Sequence, residues 1–337
     1  MAVLRRGLAR RKRGVLHHVR RAAGQHRSGS PARPGLTSVV WPTAATRLAG
    51  VIGDPVRHSL SPVLHNAAFS ALGLDWAYVA LPVPAGRARE ALAGAAALGV
   101  EGLSVTMPHK TAVAEALHRC SPTATTLRAV NTVVRRHDEL IGESTDGQGF
   151  LDAVRSEHGF DPSGRRCLVV GAGGAGRAVV LALSQAGARE VVVVNRTLER
   201  GRAAAALAGP VGRVGQPAEI EGMDLVVNAT PLGMTAHGRG DDGREAPPAS
   251  GETDTGGTSS LVDPGLLATG QLLVDLVYHP ATTPLLEAAR RRGVAAANGV
   301  GMLVHQAALA FELWTGEGAP VAAMRAAVAD VLHRGGA

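Results

Sequence analysis

Lysine is almost absent from this 337-residue chain: of 35 lysines and arginines, only Lys12 and Lys110 are lysine. Arginine solvates a surface as well as lysine does, but its pKa above about 12 bars it from giving or taking protons. An amine kept at Lys110 amid arginines therefore marks a place where titration is needed, against the plainer reading of a surface lysine left by chance. A second signature is the run Gly171-Ala172-Gly173-Gly174-Ala175-Gly176, a G-x-G-x-x-G sequence. Such a run means little by itself in a chain with 43 glycines. Here residues 167–170 read as a buried strand leading into it, an apolar helix runs on to Ala186, and residues 191–194 read as a second strand. That βαβ order is the one that binds a dinucleotide. In it Gly171 permits the tight turn, Gly173 lets a pyrophosphate approach the backbone, Gly176 lets helix and strand pack closely, and the helix N-terminus faces the anion.

The end of the second strand sets the choice of nucleotide. A carboxylate there would bind the ribose hydroxyls of NAD and repel a 2′-phosphate. The chain instead has Asn195-Arg196-Thr197, with Arg200 one turn later. Two guanidiniums and a hydroxyl suit the 2′-phosphate of NADP. Cations at a helix start also oppose its dipole, which favours a bound anion over mere solvation.

The elements that must position these residues follow from pattern. Residues 50–53 read as a short apolar strand, after which Ser61 is placed as an N-cap with Pro62 at the first helical position. Leu64, Ala68 and Leu72 lie four apart on one face of that helix, and Gly73 stops it. Residues 78–83 read as strand, 90–98 as an alanine-rich helix, 103–105 as strand and 111–118 as helix. Strands alternating with helices predict parallel α/β architecture in this half and, from the glycine run onward, in the other. The fold class expected is two α/β domains with a cleft between them. The first spans residues 48–146 and is rejoined by C-terminal helices at 298–337; the second, of Rossmann type, spans 147–297.

Composition narrows the classes further. Hydrophobic residues make up 45% and charged residues 19%, as in a globular protein. No apolar run is long enough to cross a membrane as a helix. Cys120 and Cys167 stand far apart without metal-ligand spacing, so neither a disulfide scaffold nor a metal site is expected, and a reducing, cytoplasmic setting is favoured. The net charge of +7 resides in residues 1–47, which hold eleven basic residues and no acid, leaving 24 basic against 28 acidic in the rest. A nucleic-acid-binding body is thus not indicated. Residues 1–47 read as a disordered tail, with an organellar leader or a misassigned start left open, and 237–260 as a flexible insertion.

Taken in order, a larger set of motifs resembles the shikimate dehydrogenase family, NADP-dependent reductases of 3-dehydroshikimate. The set begins with Gly53-Asp54-Pro55, His58-Ser59-Leu60-Ser61-Pro62 and Ser104-Val105-Thr106-Met107-Pro108-His109-Lys110. It continues through Ala129-Val130-Asn131-Thr132, Ser144-Thr145-Asp146-Gly147 and the glycine run with Asn195-Arg196-Thr197. It closes with Asn228-Ala229-Thr230-Pro231-Leu232-Gly233-Met234, Asp275-Leu276-Val277-Tyr278 and Asn298-Gly299-Val300-Gly301-Met302-Leu303-Val304-His305-Gln306. The resemblance implies that Lys110 and Asp146 form the catalytic pair and that Ser59, Ser61, Thr106, Asn131, Tyr278 and Gln306 contact substrate. It implies that Gly171, Ala172, Gly173, Gly174, Ala175, Asn195, Arg196, Thr197, Arg200, Leu276 and Gly299 hold NADP. Ser104 and Ser144 depart from the family's usual asparagines, which bears on substrate range more than on reaction type.

The residue types fit that chemistry. A ligand with one carboxylate and three hydroxyls needs hydroxyl and amide partners, and an alkoxide left by hydride transfer needs a positioned amine, worth roughly 10²–10⁴ in rate. A neighbouring carboxylate would orient that amine and modulate its pKa. Plainer roles stay open: Ser61 as a helix cap, Asn131 as a turn residue, Gln306 as a polar flank of the Leu303, Ala307, Ala310, Trp314 stripe, Tyr278 as a strand residue, Asp146 as an N-cap. Two other functions also remain open, a quinate/shikimate dehydrogenase of broader range and a non-catalytic regulatory protein with a nucleic-acid-contacting tail. A small-molecule substrate is the expected partner, nucleic acid and membrane are not, and a homodimer is admitted without being required.

Overall fold

The computed structural model describes residues 42–233 and 261–334; the expected insertion at 237–260 and most of the expected tail lie outside them. Residues 42–47, counted with the tail in the sequence, belong to the fold. Thr46 Oγ1 donates to Asp75 Oδ1 at 2.6 Å, and the Arg47 guanidinium lies 4.9 Å from the Trp76 ring.

The first half contains β1 (Arg47–Gly53), α1 (Ser61–Ala71), β2 (Trp76–Pro82), α2 (Ala88–Ala97), β3 (Gly102–Val105), α3 (Lys110–Ala116), β4 (Arg119–Cys120), α4 (Pro122–Leu127), β5 (Thr132–Arg136) and β6 (Glu139–Glu143). Its sheet runs β2-β1-β3-β5-β6-β4. The sheet is mixed, which corrects the expectation of a purely parallel one: β1 pairs parallel with β2 and β3, but β5 is antiparallel to both β3 and β6. A two-residue hairpin turn at His137 and Asp138, with His137 at φ +54°, joins β5 to β6. Neither residue is glycine, so the turn carries no strong hairpin signature.

Helix α5 (Asp146–His158) leads to the second half, where β7 (Arg166–Val170), α6 (Gly174–Gln185), β8 (Glu190–Val194), α7 (Leu198–Ala205), β9 (Gly212–Val214), β10 (Leu225–Asn228), β11 (Leu272–Asp275), α8 (Pro284–Arg291) and β12 (Ala295–Asn298) follow. This sheet is parallel throughout, in the order β12-β11-β10-β7-β8-β9. Its central strands are nearly continuous runs of buried Val and Leu, as a sheet covered on both faces requires. Chain order reverses between β7 and β10, so the crevice beyond their carboxyl ends is where a ligand of such a sheet binds.

The chain then returns to the first half. α9 (Val300–Thr315) and α10 (Val321–Arg334) pack with α1 in one core that includes Leu64, Phe69, Tyr78, Phe311, Trp314 and Met324. Ala68 joins that core, whereas Leu72 is 41% exposed and lies outside it. α5 lies between α6 and α9: a side-chain carbon on Gly147 would meet the Ala178 carbonyl at 2.7 Å, and one on Gly149 would meet the Gln306 backbone at 2.5 Å. Two residues apart on a helix point to nearly opposite sides, so these glycines thin both faces of α5. The boundary expected between residues 146 and 147 therefore falls inside the first turn of a helix shared by both halves.

Candidate active site

Lys110 opens α3 after a loop tied down at several points. Thr106 N–H donates to the Ile52 carbonyl at 3.0 Å, and the buried His109 Nε2 hydrogen-bonds the Val83 carbonyl at 2.7 Å. Thr106 itself lies over Gly53, where a side-chain carbon would come within 2.4 Å of its Cγ2. The Lys110 ammonium donates to Asp146 Oδ2 at 2.6 Å. Asp146, the first residue of α5, sits where the helix dipole favours a carboxylate. Its other oxygen, Oδ1, accepts from Asn131 Nδ2 at 2.8 Å.

Asn131 is the hub. Its Oδ1 accepts from the Thr145 N–H at 2.8 Å and from Thr132 Oγ1 at 3.1 Å, which fixes which end of the amide donates. Its Nδ2 reaches Asp146, Thr145 Oγ1 at 2.9 Å and Gln306 Oε1 at 3.4 Å. Gln306 Nε2 in turn donates to the Leu303 carbonyl at 2.9 Å. Four residues separated widely in sequence thus meet in one network, with the Asp146 side chain only 10% exposed and that of Lys110 22%. An ammonium has three hydrogens; Asp146 takes one and leaves the others for a ligand.

Ser59 and Ser61 stand together, with the Ser61 N–H donating to Ser59 Oγ at 3.2 Å. This corrects the expected N-cap: Ser61 is the first helical residue, Leu60 is the cap position, and no side chain caps α1. The Ser61 hydroxyl is therefore not spent on the helix. α3 likewise begins at Lys110 instead of residue 111, because Val113 N–H bonds back to the His109 carbonyl. Tyr278 is half-buried, which pushes its hydroxyl above its ordinary pKa, and it joins none of these hydrogen bonds among the described residues.

The glycine run faces this network. A side-chain carbon on Gly174 would stand 3.7 Å from Lys110 Cδ. Gly171 adopts φ +107°, a conformation closed to most residues, and lies against the Ala229 carbonyl. Gly176 packs so closely on the Gly171 carbonyl that a side-chain carbon would come to 2.2 Å, whereas the space above Gly173 is open. Asn195 Oδ1 accepts from Ala172 N–H at 3.1 Å and its Nδ2 donates to the Thr197 carbonyl at 2.8 Å, tying the two loops together. Asn195 follows β8 directly; Arg196 and Arg200 are exposed beyond it, and Glu199 is paired with Arg202 at 2.7 Å. Gly299 packs on the Leu276 carbonyl. These features fit a dinucleotide: an open backbone approach and an anion-favouring helix end.

Sequence reasoning missed the supports. Thr132 and Thr145 orient Asn131, and the buried Asp275, held by Asn228 Nδ2 at 3.0 Å and Thr283 Oγ1 at 2.6 Å, anchors the loops beyond β10 and β11. Both threonines, with Asn228 and Asp275, stand inside the motifs that carry the resemblance, the one signal that marked them.

The family model for the shikimate dehydrogenase substrate binding domain matches residues 51–133. That for shikimate/quinate 5-dehydrogenase matches 153–231, and that for the shikimate 5′-dehydrogenase C-terminal domain matches 299–329. A shikimate dehydrogenase (NADP(+)) of Geobacter sp. strain M21 is 45% identical over 86% of this chain and 97% of its own. One from Methanopyrus kandleri is 44% identical over 86% and 97%. The crystal structure of the Thermus thermophilus shikimate 5-dehydrogenase, in complex with NADP(H) and shikimate, aligns with a TM-score of 0.73 at 35% identity, covering 85% of this chain and 99% of that one. The chain belongs to the shikimate dehydrogenase family.

Proposed function

We propose that this chain reduces 3-dehydroshikimate to shikimate, reversibly, with NADPH, in the route to aromatic amino acids. The observation that carries the reading is the Lys110–Asp146 pair at 2.6 Å, bound to Asn131 and placed beside the glycine run at Gly174. When bound, NADPH supplies the hydride.

The residues of the chain do the rest. Asp146 and Asn131 hold the Lys110 ammonium in one place, so that a proton can pass from Nζ to the carbonyl oxygen as that oxygen becomes an alkoxide; in the reverse direction the neutral amine takes it back. Asp146 also offers lone pairs to a neighbouring substrate hydroxyl. Ser59, Ser61, Thr106, Asn131, Tyr278 and Gln306 bind and orient the carboxylate and hydroxyls of the ligand. Gly171 to Ala175 and the backbone at Leu276 and Gly299 cradle the nucleotide, while Asn195, Thr197, Arg196 and Arg200 select its 2′-phosphate. Among the described residues no helix is long and apolar enough to cross a membrane. Cys120 and Cys167 are both free, and burial pushes the Cys167 thiol up to about 12. The unpaired cysteines support a reducing, cytoplasmic setting.

The test is NADPH oxidation followed by absorbance with 3-dehydroshikimate, 3-dehydroquinate and unrelated ketones, repeated with NADH. Turnover confined to 3-dehydroshikimate with NADPH is expected. Equal turnover of the quinate-type ketone or of NADH would replace this reading with the broader one, and no turnover of any ketone would refute it.

A further inference from the structure

Tyr78 on β2 is held more firmly than its place in a strand requires. Its N–H donates to Asn66 Oδ1 and its carbonyl accepts from Asn66 Nδ2, both at 2.9 Å. Its ring, 2% exposed, stacks on the His65 imidazole with centroids 4.4 Å apart and planes 20° apart, and the Trp314 indole lies 5.8 Å away. His65 is itself fully buried, and burial lowers its pKa to about 3, so the stack is uncharged. Ser61 and His65 are four apart on α1 and share a face. Tyr78 lies along that face, with its ring on His65 and its hydroxyl at Ser61. The phenol donates to Ser104 Oγ at 2.7 Å, and the Ser61 side chain is its other hydroxyl neighbour.

A core position needs only the ring. Phenylalanine would fill the same slot without burying a hydroxyl, which costs free energy unless it is bonded. The hydroxyl therefore has another use, and it ends at a serine of the ligand pocket. We propose that Tyr78 is a positioning residue for substrate binding: its hydroxyl, referenced at once to α1 and to Ser104 on β3, fixes the rotamer of Ser61 and the hydrogen that Ser61 presents. This rests on the reading of Ser61 as a substrate contact.

A phenol has one hydrogen, and hydroxyls turn to suit their partners. Without ligand, Tyr78 gives its hydrogen to Ser104, which leaves the phenol oxygen able to accept from the neighbouring Ser61. An acceptor bound at Ser61 would draw that serine's hydrogen outward, the phenol's toward Ser61 and that of Ser104 toward the phenol. The three hydroxyls then point one way, and each bond strengthens the next.

The test uses the full chain and steady-state kinetics. Tyr78→Phe should raise the KM for 3-dehydroshikimate about 3- to 10-fold, the worth of a single net hydrogen bond, with kcat changed less than about twofold and the KM for NADPH unchanged. Ser104→Ala should shift the same constant in the same direction by less. In the Tyr78→Phe background, Ser61→Ala should add less than about twofold, because the serine is already released. Ser61→Ala acting by the same factor in both backgrounds, or a fall in kcat at constant KM, would overturn the assignment. If Tyr78→Phe does not fold, the Ser104→Ala and Ser61→Ala cycle decides by the same rule. Wild-type turnover with multiplicative mutants sinks only this inference; a wild type that neither binds nor reduces 3-dehydroshikimate sinks the functional reading as well.

Discussion

The two sides of the site are made in different ways. Around Lys110 the geometry belongs to side chains: one amide, Asn131, bonds both Asp146 and Gln306, the latter 175 positions away in sequence. Around Gly171 it belongs to the backbone, written within six consecutive residues by what they lack. The first side can be broken one polar atom at a time and should then fail in chemistry. The second tolerates no added carbon at Gly171 or Gly176 and should fail in binding.

The largest effect is expected on the side-chain half. Asp146→Asn keeps the shape but removes the charge that holds the ammonium, so kcat should fall about 100-fold or more while substrate KM changes little. Because the pair acts as a unit, the double variant with Lys110→Ala should be little worse than the poorer single one. On the nucleotide half, replacing both Arg196 and Arg200 with alanine should weaken NADPH roughly 10- to 100-fold and NADH far less, read by fluorescence titration. Equal weakening of the two would show that the arginines do not read the phosphate. Gly176→Ala should weaken both nucleotides about tenfold alike, since the added carbon displaces the Gly171 carbonyl. Normal affinity there would break the contrast between the halves.

What the sequence made legible follows the same division. The glycine run, its flanking strand and helix and the bare end of β8 are local, so they could be read in line. Lys110 was marked by the scarcity of lysine, but its pairing with Asp146 came only from resemblance, since no periodicity brings those residues together. The antiparallel β5 and β6 were invisible because their turn lacks glycine. Ser61 looked like a cap because a serine before proline usually is one; Ser59 instead takes up its N–H. Ser104 was marked only as a departure from the family's asparagine, and Tyr78 and His65 could not be seen at all, because each matters through neighbours on another element.

The smallest effect sharpens the contrast from below, in stability alone. His65 titrates near 3 in the fold against 6.5 in an unfolded chain, because burial penalises its charge. Below pH 6.5 the unfolded chain binds a proton that the native one refuses, so stability should fall with acid by up to about 1.4 kcal/mol per pH unit, until the native imidazole charges near pH 3. Glu157 adds to this at lower pH. Burial alone would raise its carboxyl, but His305 and Arg325 outweigh burial and hold it down to about 2, so its contribution is full above about 4.5 and fades below. In denaturant unfolding, wild type should therefore lose stability relative to His65→Leu as pH falls from 6.5 toward 4.5; parallel curves would mean that His65 is not buried as described.

The most direct measurement is kcat for 3-dehydroshikimate reduction by Lys110→Arg. Arginine keeps the positive charge and a hydrogen bond to Asp146 but does not titrate in range. Proton transfer at this position predicts a fall of about two to four orders of magnitude with substrate KM nearly unchanged. A near-normal kcat would mean that charge alone suffices and that the proton comes from water or another group, contrary to the role given to Lys110.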